Sequence, residues 1–520
     1  MDRYANRSIR RILSVLVTVA VLTVSLFTAA FVPVSAASKP VLSDKSATIT
    51  VGSEIKLTVK NPGKKVKWKS SNKKIAYVRS VKGKYGKTAV IKAKKAGSCK
   101  ITAKVGKKKL TCTIKTEKHV TLSKSARDLT ASVKAGEADA LEANSRFTVS
   151  AADFSFDLLR KTVEADSAKG RSGNTLISPD SVLSALVMTE NGAQGQTLLE
   201  MQNALSGGIS VSDYNRYLYG LNSRLTSADT VKYSVANSIW IRSGAVKVKN
   251  GFLKTNKIYH KAQIFSAPFN RTTVNDMNKW VSGCTNGMIK QIISELTDAD
   301  RIVLINAIAF EGGWEEKFGE PRRETFTPES GTAREADMLH QKDRMDLLTL
   351  NGGKGFVKYY SGRQIAFVGL LPPEGSSADR YLQGISGSDF VSAWNSRTVR
   401  LLDISVPEFK YDYDASMADP LRKMGMVSAF STSADFSGMI YPDLNTPGIH
   451  IDDVIHKTHI ELDKNGTKAA AATAVIMKAG SVIREEEAIE VHLDRPFVYA
   501  LVDTKTGIPL FAGILREATK

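Results

Sequence analysis

Seven histidines and three cysteines, with many serines and aspartates, could suggest an active site, but their spacing argues against one. No His-Glu-x-x-His run exists to place two imidazoles and a general base on one helix face. Gly384-Ile385-Ser386-Gly387 approaches a nucleophile elbow, but Ser388 stands where the final glycine is required. Asn351-Gly352-Gly353-Lys354-Gly355 reads as a turn and lacks phosphate-loop spacing. His456 and His459 fit hydrogen-bonded structural roles better than metal ligation, and Cys284 reads as a core thiol. The expectation is a protein that is not an enzyme and needs no metal or cofactor.

The chemistry that the chain does offer lies in a backbone segment, Glu461-Leu462-Asp463-Lys464-Asn465-Gly466-Thr467-Lys468-Ala469-Ala470-Ala471-Ala472-Thr473-Ala474. The side chains after Lys468 are too small to anchor a core. One reading is an exposed alanine-rich helix or loop, since alanine favours helix. The other is a strand in waiting. Residues two apart on a strand share a face, so Thr467, Ala469, Ala471 and Thr473 would point inward where small groups meet least resistance. Ala470 and Ala472 alternate with them, and Gly466 lets the backbone hinge.

The flanks decide between these readings. His456-Lys457-Thr458-His459-Ile460-Glu461 precedes the run, and Val491-His492-Leu493-Asp494-Arg495-Pro496-Phe497-Val498-Tyr499 follows it. Together they resemble the hinge and C-terminal signature of the serpins, and the resemblance extends from Phe147 to Arg516. Asn174-Thr175-Leu176-Ile177-Ser178-Pro179 is similar to that family's second-helix entry. Ile302-Val303-Leu304-Ile305-Asn306-Ala307, with Phe310 and Trp314, is similar to its central-sheet strand and the nearby tryptophan. Leu421 to Met426, running on to Ala434-Asp435-Phe436-Ser437-Gly438, matches a further block.

The resemblance implies suicide inhibition of a serine or cysteine protease. The protease attacks an exposed loop and forms an acyl-enzyme. The cut loop then enters the large sheet as a new strand and traps the complex. This is strand addition coupled to release of stored strain. About a dozen new ladder bonds at ~1 kcal/mol net each would supply on the order of ten kcal/mol. One departure stands out: Lys464 occupies a hinge position where the family usually carries Glu. Spacing from Gly466 puts the reactive bond at Gly480–Ser481. Small Ala479 and Gly480 suit an elastase-like or subtilisin-like pocket, whereas Lys478 and Arg484 are trypsin-like alternatives if the register slips.

An α+β domain is expected to position this loop, with mixed sheets surrounded by helices, over residues 147–520. Phe154, Leu158 and Leu159 recur at helical spacing, and strand-like runs follow at Val231–Ile241, Val303–Phe310, Ile365–Leu371, Leu401–Val406 and Phe497–Val502. Residues 117–146 read as a linker. Upstream, residues 39–116 alternate apolar and polar positions between Gly and Asn turns, as a small antiparallel sandwich does. Trp68 to Val78, followed by Lys95-Ala96-Gly97, resembles the bacterial immunoglobulin-like group 2 domain, which implies a spacer or adhesive module.

Charge is concentrated in that module. Residues 39–116 hold 23 Lys and Arg against Asp44 and Glu54, a net of +21, while residues 117–520 carry −3. Anionic wall polymers or glycans are therefore candidate partners, with nucleic acid not expected, and a solvated face with no partner is the other reading. Cys99 and Cys112 flank a turn at Val105-Gly106-Lys107. They are expected either to lie opposite each other as a disulfide or to be two small buried hydrophobes. Residues 1–36 read as a signal peptide. Arg3, Arg7, Arg10 and Arg11 precede the apolar Ile12–Phe27 run, and Val34-Ser35-Ala36 offers a cleavage site. An uncleaved anchor is the alternative. The expected protein is a secreted monomer, free or associated with the cell surface. The competing functions are a non-inhibitory serpin used for surface or glycan binding, and a basic module for which the large domain is a passenger.

Overall fold

The computed structural model describes residues 39–518 apart from residues 45, 52–53, 118–119, 135, 137, 227–229, 245–246, 286, 288, 299, 442–448 and 468–486. The chain divides into two compact units at His119/Val120.

The first unit is all β. One four-stranded sheet runs Val41–Leu42, Glu54–Lys60, Thr88–Ala93, Ala76–Lys82, and the other runs Ser46–Thr50, Lys108–Glu117, Gly97–Val105, Val66–Ser70. Leu57, Val59, Ile91, Ile101 and Ile114 from the two sheets share one core. Pairing is antiparallel except where Ser46–Thr50 runs parallel to Lys108–Glu117. Gly106, at φ +59°, and Lys107 form a two-residue turn closing at Val105↔Lys108. That register pairs Cys99 with Ile114 and Cys112 with Ile101. The expectation that the thiols face each other is thus corrected. They lie on one buried face as a diagonal pair, typically about 7–8 Å apart, beyond comfortable disulfide reach, and no disulfide joins them.

The second unit begins at Val120, inside the stretch read as a linker. Ser123 donates its backbone N–H to Asp276 at 2.9 Å, and Arg127–Asp128 adds an edge strand against Phe265 and Ser266. Polar sequence had hidden these contacts. Helix α1 (Ser145–Ala168) starts at Asn144, whose side chain caps the Phe147 N–H, and it buries Phe147, Ala151, Phe154 and Leu158. Helix α2 (Pro179–Glu190) starts with proline at its first position and is buried on every side.

The sheet that matters for function contains β1 (Val231–Arg242), β2 (Gln263–Ala267), β3 (Ile302–Gly313), β4 (Phe409–Ser416), β5 (Asp453–Asp463) and β6 (Gly466–Thr467). Their order is β4-β5-β6-β3-β1-β2, with Arg127–Asp128 at the far edge. A second, nine-stranded mixed sheet includes Ile365–Leu371, Phe497–Asp503 and Pro509–Leu515, which are near-continuous apolar runs buried along almost their whole length. This is the expected α+β architecture.

Candidate functional site

Strand β5 alternates strictly. Val454, His456, Thr458, Ile460 and Leu462 are buried, and the residues between them are half-buried. One face therefore lies on the core and the other faces outward, which fixes its register. β5 and β3 run parallel but pair only at their beginnings, at Val303↔Asp453, Leu304↔Val454 and Ile305↔Ile455. At their far ends β6 lies between them, with Thr467 opposite both Gly312 and Leu462 and Gly466 opposite Gly313 and Asp463. Between these points Asn306–Glu311 and His456–Glu461 face each other with no strand paired to either inner edge among the described residues. The result is a six-residue slot in the sheet.

The upper end of the slot is closed by a built turn. The Asp463 carboxylate accepts the N–H groups of Asn465 (2.6 Å) and Gly466 (3.1 Å). Trp314 Nε1 donates to the Asp463 carbonyl at 2.9 Å, and the Trp314 amide donates to the Asn465 carbonyl at 2.9 Å. Gly466 has φ +151°, and a Cβ there would sit 2.1 Å from the Gly312 carbonyl oxygen, so only glycine fits. Lys464 ion-pairs with Glu320, and its amide donates to the Glu408 carboxylate at 3.2 Å. The unusual hinge cation thus has an acidic partner of its own in Glu320.

Thr467 is buried, and its Oγ1 lies 2.6 Å from the hydroxyl of buried Tyr360, whose ring stacks on Trp314 with centroids 4.4 Å apart. Burial raises the Tyr360 pKa, so the phenol stays neutral. The Lys358 ammonium lies 4.0 Å from the Phe318 ring centroid and 5.5 Å from that of Trp314. Desolvation lowers its pKa to about 7.

The floor of the slot is provided by Ile308, Phe310, Thr458 and Ile460. At its lower end the Ser178 amide, at the start of α2, donates to His456 Nε2 at 2.9 Å, and the Ser181 hydroxyl donates to Asn306. Burial lowers the His456 pKa to about 3, so the ring is neutral and Nε2 accepts. His456 is a structural residue, as expected. No group of His, Cys, Asp or Glu able to hold a metal occurs among the described residues.

The structure brings Gly466 and Thr467 into the site. Ala469, Ala470, Ala471, Ala472 and Thr473, and the bait residues Lys478, Ala479, Gly480, Ser481 and Arg484, lie outside the described residues. Tyr360, Gly312, Glu320 and Glu408 were not legible in the sequence, because each comes from a strand or loop remote from the hinge.

Two parallel strands thus pair directly at one end, hold a tight glycine hinge between them at the other, and leave their middles unpaired to each other among the described residues. Residues 149–517 match the model for "Serpin (serine protease inhibitor)", and the chain belongs to that family. A serpin-like protein of Thermococcus kodakarensis is 29% identical over 370 residues, covering 69% of this chain and 83% of that one. Human serpin B3 is 28% identical over 392 residues, covering 69% and 96% respectively. The crystal structure of the thermophilic serpin tengpin in the native state superposes with a TM-score of 0.70 at 34% identity, covering 76% of this chain and all of that one. Serpins are generally protease inhibitors rather than catalytic enzymes, and the family implies a protease target held in a covalent complex.

Proposed function

We propose that the mature chain is a secreted suicide inhibitor of serine proteases, with Gly480–Ser481 as the reactive bond and an elastase-like or subtilisin-like enzyme as target. The observation that carries this reading is the register of the slot. The pairings above and below it share the same offset between β3 and β5. A strand continuing from Thr467 would therefore set Ala469 beside Phe310 and Ile460, Ala471 beside Ile308 and Thr458, and Thr473 beside Asn306 and His456. The inward positions of the loop are small where the floor is already filled. Going further requires parting only the three pairs at Val303–Ile305.

The chemistry follows from that fit. The protease serine attacks the carbonyl of Gly480, the amine of Ser481 leaves, and the acyl-enzyme remains on the hinge side of the cut. Insertion then competes with hydrolysis of the ester. Residues 1–36 act as the export signal. The basic unit, which resembles a bacterial immunoglobulin-like group 2 domain, retains the inhibitor at anionic polymer of the cell surface.

The test is to mix the full mature chain with elastase, subtilisin and trypsin and resolve the products under denaturing conditions. A covalent complex with the first two, at an inhibitor-to-protease ratio near unity, is expected. Complete cleavage without any complex would refute the inhibitory reading.

A further inference from the structure

The two sheets of the basic unit carry their charge differently. On the Glu54–Lys60 sheet, Glu54 ion-pairs with Arg79 and lies 3.6 Å from Lys92. On the other sheet residues 55–116 contain neither Asp nor Glu, and its one acidic position is Glu117, at the end of Lys108–Glu117 opposite Thr50. Alternation there buries Val66, Ser70, Cys99, Ile101, Ala103 and Cys112, and turns Lys67, Lys69, Lys100, Lys104 and Lys109 outward into solvent. The register places Lys67, Lys104 and Lys109 directly abreast on three adjacent strands. The next row is Lys69, Thr102 and Thr111, and in the row beyond it Lys100 stands opposite Thr113.

Three cations in one cross-strand row repel one another and cost the sheet stability. None of the five lysines is ion-paired to a carboxylate among the described residues, so the fold itself does not offset that cost. Adjacent strands are about 4.8 Å apart and alternate residues along a strand about 6.8 Å apart. The face thus presents a two-dimensional lattice of positive charge with threonines set into it. Cations repeated across three strands and along them suit an extended ligand with regularly repeated anions better than a compact one. The chemistry of the cations narrows the class. The arginine fork grips planar carboxylate and phosphate alike in fixed bidentate geometry, whereas lysine is a rotatable point charge that serves the tetrahedral phosphate from any direction. The only arginine in residues 39–116 is Arg79, which belongs to the other sheet.

We propose that the Lys67–Lys104–Lys109 face binds an extended phosphodiester polymer, with the lysines on phosphates and Thr102, Thr111 and Thr113 available to the polymer's hydroxyls. This rests on the reading that the unit engages anionic polymer, and adds to it the face and the ligand class.

The experiment titrates the full mature chain with poly(glycerol phosphate) over a range of salt concentrations, with hyaluronate as a carboxylate comparison. The wild-type chain should bind the phosphate polymer with log affinity falling linearly in log salt. Lys67→Gln/Lys104→Gln/Lys109→Gln should weaken binding by about tenfold or more and lower the salt slope by about 2, near 0.7 for each lost phosphate contact. Its thermal transition should be unchanged or higher, since the row of like charges is relieved. Lys56→Gln/Lys60→Gln/Lys82→Gln, the same charge change on the other sheet, should leave affinity nearly intact. Equal weakening by both triples would overturn the assignment of the face while leaving the polymer reading standing. Equal affinity for hyaluronate would overturn the ligand class, and no binding by the wild-type chain would overturn both levels. Protease trapping should be unaffected in either triple.

Discussion

Thr467 is where the hinge commits to the sheet. Its hydroxyl is matched to Tyr360 and its neighbours are Gly312 and Leu462, so there is no room or partner for a charge. Thr467→Arg should turn the inhibitor into a substrate. An unpaired cation driven into that site costs several kcal/mol after relaxation. The loop should still be cut, but the inhibitor-to-protease ratio measured by titration should rise more than about tenfold. Inhibition equal to the parent would mean that insertion does not pass through this position. His456 makes the corresponding pH prediction. Its pKa in the fold is about 3, below the usual histidine value of 6.5, because burial disfavours the imidazolium. The unfolded chain therefore binds the proton first, and the stabilisation from the Ser178-to-His456 bond, complete above about pH 6.5, is lost as pH falls toward 3. The advantage of wild type over His456→Gln in unfolding free energy should shrink by about 2 kcal/mol between pH 6.5 and 5, near 1.4 kcal/mol per unit. A pH-independent difference would show that the ring is charged in the fold. The role of Gly466 was legible in the sequence as freedom to turn. That a Cβ would strike the Gly312 carbonyl was not, because it depends on a strand about 150 residues away in sequence.

The slot between β3 and β5 shows what local pattern can and cannot reveal. The two-residue alternation was read for Thr467, Ala469, Ala471 and Thr473, of which the structure describes Thr467 alone, and it is buried. The six-residue opening was not legible, since a missing pairing leaves no trace in the periodicity of either strand. The outward positions yield a second prediction. A strand continuing from Thr467 would set Lys468 opposite Glu311 and Glu461, which now pair with Lys232 and Lys410. Lys468→Glu would put three carboxylates abreast, a destabilising cross-strand arrangement. It should raise the inhibitor-to-protease ratio by less than Thr467→Arg does, because the charge remains in water. No change at all would place Lys468 out of that register. The sandwich turn taught the converse lesson. A shift of the turn centre moved Cys99 and Cys112 from directly opposed to diagonal, and thiol titration of the denatured, unreduced chain should find three reactive thiols.

At the scale of the whole molecule, composition marks one strongly basic stretch and one slightly acidic one, and the structure divides the chain into an all-β unit and a mixed one. The large unit begins inside the stretch read as a linker, because the polar 120–134 segment is held there by backbone pairing and hydrogen bonds to side chains that hydropathy does not register. The export reading predicts that intact mass of protein from the medium begins near Ala37, whereas retention of Met1 would indicate an anchor. The reactive bond is checked by mass spectrometry of the fragment released on complex formation. A start at Ser481 fits the assigned register, and a start at Ala479 or Glu485 would make Lys478 or Arg484 the bait. The central claim is that the cut loop fills the slot, and hydrogen exchange reads it directly on the amides of Asn306–Glu311 and His456–Glu461 before and after protease trapping. The account predicts that the inner-edge amides of both segments exchange readily in the uncut protein and become strongly protected in the complex. Protection unchanged by cleavage would contradict it.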